Sequence, residues 1–139
     1  MTAGYAGTPL AEKIGIQPGH RVVLRHAPAC WRIPDLPSDI VIAGDEPELA
    51  DIVLAFYRER ADLADEAPAL AAALAPGAML WIAWPRRAGG HVSDIADNAL
   101  RELLLPIRVV DVKVAALDND WSGLKFVWRK KPDRGETRR

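Results

Sequence analysis

Cysteine and histidine are scarce in this sequence of 139 residues, which contains one Cys and three His. The single Cys30 cannot form an internal disulfide, which agrees with a reducing compartment. The histidines at positions 20, 26 and 91 lack the paired spacing of zinc ligands. We therefore expect neither a disulfide-stapled domain nor a metal site.

Long hydrophobic runs are also missing. No apolar run reaches the roughly 18 residues that are needed to span a bilayer. The first residues, MTAGYAGTPLAEK, have neither a basic leader nor an apolar signal core. These absences argue against a membrane partner and predict a cytoplasmic location.

Most of the chain lacks an excess of positive charge. Residues 1–128 carry 12 Lys or Arg against 17 Asp or Glu, whereas residues 129–139 carry 6 against 2. Duplex binding needs cations clustered against phosphates, so this balance argues against nucleic acid as the main partner. The length predicts a single domain over residues 1–129, with an N-terminal helical arm at 1–19 and a basic flexible tail at 130–139.

What is present is an alternation of helix and strand patterns. Around TPLAEKIG, Thr8 can cap a helix, Pro9 suits its first position and Gly15 can end it. Three prolines at positions 28, 34 and 37 leave room for about one helical turn near Cys30 and Trp31. Continuous apolar runs predict parallel strands that are covered on both faces; they are Arg21 to Arg25, Asp39 to Ala43 and Asp51 to Tyr57.

The second half has longer units. One helix pattern has a single apolar face, and its acidic residues, including Glu66, are expected to turn mostly to water. Pro68 inside it predicts a kink or two short helices. A strand at Ala78 to Trp84 follows, and Asp94 is expected to cap the next helix. Two alternating strands, which we expect to pair antiparallel, end the domain; they are Arg108 to Ala116 and Leu124 to Trp128.

These elements predict an α/β fold with a mostly parallel sheet of about six strands, an antiparallel hairpin at its end and helices on both faces. DIVLAFY and LAPGAMLWIAW, together with the final hairpin, resemble the class I S-adenosylmethionine-dependent methyltransferases, over about residues 20–129. The resemblance implies a trimmed Rossmann-like fold of this class. In those enzymes the first strand is followed by a glycine-rich turn that holds the cofactor.

The chain is also similar to a family of small, uncharacterised bacterial proteins. The matching residues are GYAGTPLAEKIGI, from Gly4 to Ile16, the central LAPGAMLWIAWP, and DVKVAALDNDWSGLKFV, from Asp111 to Val127. That resemblance implies no particular reaction.

The first loop departs from the enzyme pattern. The chain has RHAPACW where glycines would let backbone amides approach a ligand closely. Arg25 and His26 are bulky there, and Pro28 has no N–H to donate. We therefore expect no cofactor, with S-adenosylmethionine bound through an atypical loop as the alternative.

Ligands of open α/β sheets bind at the carboxyl ends of the strands. The candidate ligand-binding residues at that edge are His26, Trp31, Asp45, Trp84, Arg86, Arg87 and His91. Asp45 could bind a ribose hydroxyl, although an ordinary loop acid is the favoured interpretation. Arg86 and Arg87 could clamp an anion, although a solvated charged loop is favoured.

The remaining candidates have simpler interpretations as well. Either His26 or His91 could be a general base, but a lone His is more often structural. Cys30 has no dedicated base in the sequence and fits a small, partly buried hydrophobe better than a nucleophile. The tryptophans at 31, 84 and 121 lie near strand ends, where an indole can stack on a flat ligand or anchor an interface.

The motif DNDWSG, residues 118–123, is first interpreted as turn chemistry. Asp120, Trp121 and Ser122 are the candidate residues of an interface or a hairpin anchor. A catalytic Asp–Ser pair is disfavoured because no activating base accompanies Ser122.

The sequence thus favours a non-catalytic, methyltransferase-like module that binds a small molecule or a protein, with a homodimer possible. The alternative is a methyltransferase with an atypical cofactor loop. A third hypothesis is anion or nucleic-acid binding through Arg86, Arg87 and the tail.

Overall fold

The computed structural model describes residues 9–43, 49–107 and 109–128. In these ranges it contains three α-helices, α1 (Leu10–Ile14), α2 (Arg60–Ala73) and α3 (Asp97–Leu104). The strands are β1 (Arg21–Arg25), β2 (Val41–Ala43), β3 (Ile52–Phe56), β4 (Met79–Pro85), β5 (Val109–Ala116) and β6 (Trp121–Trp128). Short 3₁₀ turns occur at Arg87–Gly89 and Leu105–Ile107. Thr8, Asp45 and the predicted tail at 130–139 lie outside the described residues.

The six strands form one sheet in the order β2-β1-β3-β4-β6-β5. The first four are parallel, whereas β6 runs antiparallel to β4, and β5 antiparallel to β6. The expected mostly parallel sheet with a terminal hairpin is therefore confirmed. From β1 the chain goes to β2 on one side and then returns to β3 on the other, so the strand order reverses between β1 and β3.

Both faces of the sheet are covered by helix, as the sequence predicts. On one face α2 and α3 pack against side chains such as Val53, Leu80 and Leu124. On the other face α1 packs against Ile52, Leu54 and Trp81, together with the segment around Trp31 and Ile33. The Trp81 indole Nε1 donates to the carbonyl oxygen of Ile14 at 2.9 Å in the buried interior. This bond fixes the N-terminal arm to the centre of the sheet.

The glycine and the prolines near β1 affect the backbone in two different ways. Gly15 ends α1 with φ of 96°, in the left-handed region, and its N–H bonds the carbonyls of Ala11 and Glu12. Between β1 and β2, residues 26–40 contain turns and no helix. The three prolines thus leave less regular structure than the single helical turn that the sequence suggests.

The helix predictions need two corrections. α2 is one continuous helix with Pro68 inside it, so the division into two helices, one of the two outcomes expected, is wrong. Asp94 does not cap α3, whose first flanking residue, Ala96, makes no side-chain capping bond. Instead, Asp94 Oδ1 accepts the backbone N–H of Arg60 at 2.8 Å and so caps α2.

The strand bounds are close to those predicted, with one notable difference in β5. Its alternation predicts that Val112 and Val114 lie on the drier face, but both are about half exposed. A register shift between Asp111 and Lys113 breaks the period of two, and β5 is the edge strand of the sheet, which leaves these side chains open to solvent. β6 also begins at Trp121, three residues earlier than expected.

Candidate functional site

The strand-order reversal between β1 and β3 places a cleft of about 460 Å³ at the carboxyl ends of these strands. We call it the central cleft. Its volume is in the usual range for small-molecule sites, and its position is where open α/β sheets bind ligands. It is lined by His26, Pro28, Phe56, Tyr57, Arg58, Asp62, Asp65, Glu66 and Trp121.

Glu66 of α2 organises one wall of the central cleft. Its Oε1 accepts a hydrogen bond from the Tyr57 hydroxyl at 2.7 Å and lies 2.9 Å from His26 Nε2. Arg25 Nη2 donates to the same oxygen at 3.3 Å. An ionised carboxylate can only accept, so His26 donates from Nε2 in this arrangement. One carboxylate thus joins α2 to the ends of both β1 and β3.

The environment of this cluster changes two pKa values. Burial, followed by the hydrogen bond to Glu66 and the nearby negative charge, raises the pKa of Tyr57 far above its ordinary value of 10.0. For Glu66, partial burial is the largest influence and favours the neutral form. The hydrogen bonds from Tyr57, His26 and Arg25, with the charge of His26, outweigh that burial and lower the pKa of Glu66 below 4.5. Tyr57 therefore keeps its proton and donates a hydrogen bond to a carboxylate that stays ionised.

The loop after β1 has an unusual backbone. His26 adopts φ of 58°, in the left-handed region where glycine is usual. Its ring packs edge-on against Tyr57 with centroids 5.5 Å apart. The backbone conformation that a glycine would provide is therefore present, but with an imidazole side chain attached.

Aromatic side chains form another wall of the central cleft, which is lined by Phe56 and Trp121. Phe56 packs edge-on between Trp31 and Trp121, with centroids at 4.8 and 4.9 Å. The Trp31 indole Nε1 donates to Asp118 Oδ2 at 3.0 Å. The Arg58 guanidinium carbon lies 5.0 Å from the centroid of the Trp121 ring, within the range of a cation–π interaction.

The DNDWSG turn holds Trp121 in place. Asp118 Oδ1 accepts the backbone N–H groups of both Asp120 and Trp121 at 2.8 Å. Trp121 is 5% exposed, and Ser122 pairs with Trp84 across β6 and β4. These bonds position the Trp121 indole in the wall of the central cleft.

Two further clefts continue along the same edge of the sheet. The second, of about 360 Å³, shares Pro28, Arg58 and Trp121 with the central cleft and includes Cys30 and Trp31. Cys30 is exposed, with φ of 65°. Exposure does not agree with the partly buried hydrophobe suggested by the sequence.

The third cleft, of about 300 Å³, brings together four of the predicted ligand-binding residues, Trp84, Arg86, Arg87 and His91, and the predicted anchor residue Ser122. Trp84 is 8% exposed and belongs mainly to the core. Arg86 Nη1 donates to the carbonyl oxygen of Asp118, and His91 Nε2 lies 2.9 Å from Asp120 Oδ1. Asp45 lies outside the described residues. The structure thus separates His26 from Arg86 and Arg87, which line different clefts.

Sequence reasoning missed the acidic wall. Glu66 was expected to face water, yet it is partly buried by His26, Tyr57 and Arg25. Asp62, Asp65 and Glu66 are spaced i, i+3 and i+4, which places them on one side of a helix. That spacing, directly after a strand that ends in Tyr57, is the signal that could have indicated a shared surface.

The cleft does not provide the glycine cradle that class I methyltransferases use for their cofactor. His26 and Pro28 line it where backbone amides would have to approach a ligand, and Pro28 has no N–H. Arg25 Nε is buried without a hydrogen-bond partner among the described residues. The residues present therefore do not fit the usual mode of cofactor binding.

Metal binding and membrane insertion have no support in the part of the chain that the structure describes. Residues 9–43, 49–107 and 109–128 contain no group of three or more His, Cys, Asp or Glu that could hold a metal ion. Within the same ranges, no helix has the length and apolar character to cross a membrane.

Solved structures share this fold at low sequence identity. A possible exported protein from Bordetella parapertussis aligns with a TM-score of 0.59 and 10% identity, over 86% of this chain and 65% of its own. This chain therefore spans just under two thirds of that protein. The ribosomal protein L11 methylase from Lactobacillus delbrueckii subsp. bulgaricus aligns with a TM-score of 0.53 and 12% identity, over 87% of this chain and 75% of its own.

A 16S rRNA (adenine(1408)-N(1))-methyltransferase from Catenulisporales acidiphilia, solved with its cosubstrate SAM, aligns with a TM-score of 0.50 and 14% identity. The alignment covers 84% of this chain and 88% of that protein. Such similarities establish a methyltransferase-like, Rossmann-like fold. No family model and no curated protein matches the chain. Its resemblance to a family of small bacterial proteins stays a prediction.

Proposed function

We propose that this chain is a methyltransferase-like domain that binds a small ligand in the central cleft without transferring a methyl group. The observation that carries the proposal is an open, polar cleft at the strand-order reversal, with an ordered wall built on Glu66. A packed core does not need a carboxylate that gathers a tyrosine, a histidine and an arginine at the mouth of a cavity. Such convergent polar groups in a concave site are typical of ligand binding.

The first loop is poorly suited to methyl transfer. In this fold the reaction depends on a cofactor held against the backbone after β1. Here His26 and Pro28 line that position, so close approach to the main chain is hindered. The cleft is also lined by α2 and Trp121, which suits a ligand that does not lie against the loop.

Thermal unfolding with a ligand panel tests the proposal. The panel contains S-adenosylmethionine, S-adenosylhomocysteine, nucleotides, and small amines and acids. S-adenosylmethionine and its demethylated product should leave the melting temperature unchanged. A true ligand at one hundred times its Kd should stabilise the fold by about 2.7 kcal/mol. Tyr57→Phe should weaken binding of that ligand, because it removes a polar group from the cleft wall. If no class of small molecule binds, the proposal is wrong.

The second candidate function is an S-adenosylmethionine-dependent methyltransferase with an atypical loop. The shared fold with an enzyme solved with SAM, together with an open cleft, supports this candidate. Saturable stabilisation by S-adenosylmethionine that is lost in Tyr57→Phe would support this candidate and overturn the first. The predicted homodimer is a separate proposal, which sedimentation velocity of the full chain would check.

A further inference from the structure

The chain places one of its own cations inside the central cleft. Arg58 directly follows Tyr57 at the end of β3, and its guanidinium lies over the ring of Trp121. No ion pair or side-chain hydrogen bond of Arg58 is found among the described residues, and the residue is exposed. The cation–π contact is therefore what places this guanidinium at the aromatic wall.

The Trp121 ring is well suited to bind a cation because its contacts hold it in place. Its backbone N–H is bonded to Asp118 Oδ1, and its ring packs edge-on against Phe56. An indole face held rigidly at the wall of a cavity is the strongest aromatic partner that a protein offers to a cation. Arg58, by contrast, is an exposed side chain on a flexible stem and can leave at little cost.

The side of the central cleft formed by α2 carries acidic side chains. Asp62 and Asp65 line the cleft and form no ion pair within the described ranges. Glu66, one turn along the same helix, is already bonded to His26, Tyr57 and Arg25. A positive group between Trp121 and α2 would therefore meet an indole face on one side and two free carboxylates on the other.

We infer that the ligand of the central cleft carries a guanidinium or ammonium group, which displaces Arg58 from the face of Trp121. This inference rests on the proposed function and names the chemistry of the ligand at the same site. Arg58 keeps the aromatic wall covered until the ligand arrives. Displacement then releases Arg58 towards the second cleft, which it also lines.

The test compares probes that differ in charge. n-Butylguanidinium is titrated beside n-butylurea, which has nearly the same shape without the charge, and beside butyrate, which has the opposite charge. Binding is followed by the NMR shift of the Trp121 indole N–H, assigned by comparison with Trp121→Phe. The guanidinium should shift this signal saturably, and its affinity should fall as salt rises. n-Butylurea and butyrate should not compete with it for the central cleft.

Three variants test how the cleft residues affect guanidinium binding. Circular dichroism first shows that each variant is folded. Asp62→Asn combined with Asp65→Asn should weaken guanidinium binding at least tenfold. Arg58→Ala should tighten it several-fold, because the internal competitor is gone. The control is Arg60→Ala, since Arg60 is paired with Glu102 and does not line the cleft; this variant should bind as the wild type does.

A capped Gly-Arg-Gly peptide, titrated beside free n-butylguanidinium, identifies the source of the cation. Tighter binding of the peptide would point to an arginine side chain of a partner, and tighter binding of the free probe to a small molecule. Equal binding of the neutral urea, weaker binding in Arg58→Ala or absence of guanidinium binding would each overturn the inference. Binding of butyrate at this site would overturn the cationic ligand while leaving the proposed small-ligand function intact.

Discussion

Glu66 is the residue on which the shape of the central cleft depends. It lies on α2, yet its three hydrogen-bonding partners belong to β1, to the loop after β1 and to the residue after β3. Because the carboxylate is one-third exposed, solvent screens part of each interaction. Its main effect is therefore to hold Tyr57 and His26 in position, with a modest contribution to stability.

Glu66→Gln is expected to destabilise the fold by about 1 kcal/mol at neutral pH, since a neutral amide replaces a charged acceptor of several hydrogen bonds. The pKa of Glu66 is lowered in the folded state, so its contribution is complete above the ordinary value of 4.5 and is lost as pH falls through the lower folded value. Urea unfolding at a series of pH values should show the two proteins converging below pH 4.5.

The matched control is Glu102→Gln, which removes a surface ion pair with Arg60 whose glutamate is 65% exposed. Its effect should be only a few tenths of a kcal/mol, as is usual for exposed pairs. A Glu66→Gln variant that keeps a constant difference from the wild type down to pH 3 would contradict the assigned role of the charge.

At the scale of elements, the segment before α3 stabilises the start of α2. Ser93 Oγ donates to the carbonyl of Arg58, and Asp94 accepts the first N–H of α2, that of Arg60. An acid at a helix N-terminus also interacts favourably with the helix dipole. The third and central clefts are thus connected by a short stretch of backbone and two side-chain bonds.

Asp94→Ala should cost about 1 kcal/mol, because it leaves a helix N–H without its cap. Asp94→Asn keeps an acceptor oxygen and should lose much less. Chemical denaturation of both variants measures the difference, and amide hydrogen exchange in the first turn of α2 locates it. Equal losses in the two variants would mean that the charge, and not the hydrogen bond, stabilises this end.

Pro68 is a source of strain within α2. It is exposed in the middle of a continuous helix, where it cannot donate to the carbonyl four residues earlier. Pro68→Ala should therefore raise the unfolding free energy by about 1–3 kcal/mol, since little packing is lost. Thermal and urea unfolding measure this gain. A loss of stability would show that the backbone conformation fixed by proline is needed to seat Leu63 and Leu70 on the sheet.

At the scale of the whole molecule, the sheet divides the interior into two cores. The two cores differ in how much helix covers them. α2 and α3 cover one core, whereas the other depends on the five-residue α1 and irregular segments. Isolated helices of this length are not stable in water, so α1 is held by its packing. Ile14 in α1 and Ile16 just after it are both at most 5% exposed and pack in this core.

Deletion of residues 1–17 should remove about 3–6 kcal/mol of stability through the loss of these two buried side chains alone. It would also leave the Trp81 indole without its acceptor at Ile14. Circular dichroism melts and binding of a hydrophobic dye measure the effect. Deletion of residues 130–139, the predicted flexible tail, is the control and should change little. An arm deletion that melts like the full chain would contradict the role of α1.

Much of the fold follows from the sequence alone. The apolar run after Pro18-Gly19 predicts β1 at its observed bounds, Arg21–Arg25, because a strand covered on both faces has no polar alternation. The end of α1 at Gly15 and the antiparallel hairpin were also predictable from local sequence. Each depends on residues close together in the chain, whose conformational preferences are local.

The candidate site was only partly predictable. His26 was identified from its position after a strand, but Glu66 lies 40 residues away and Trp121 more than 90 residues away. Local periodicity assigned Glu66 to the solvent side, and Asp94 to the nearest following helix. The physical reason is that a side chain bonds whichever partners the packing of α2 on the sheet brings within hydrogen-bonding distance. The sequence therefore determined the elements and their order, whereas only the tertiary structure decided which side chains meet around the cleft.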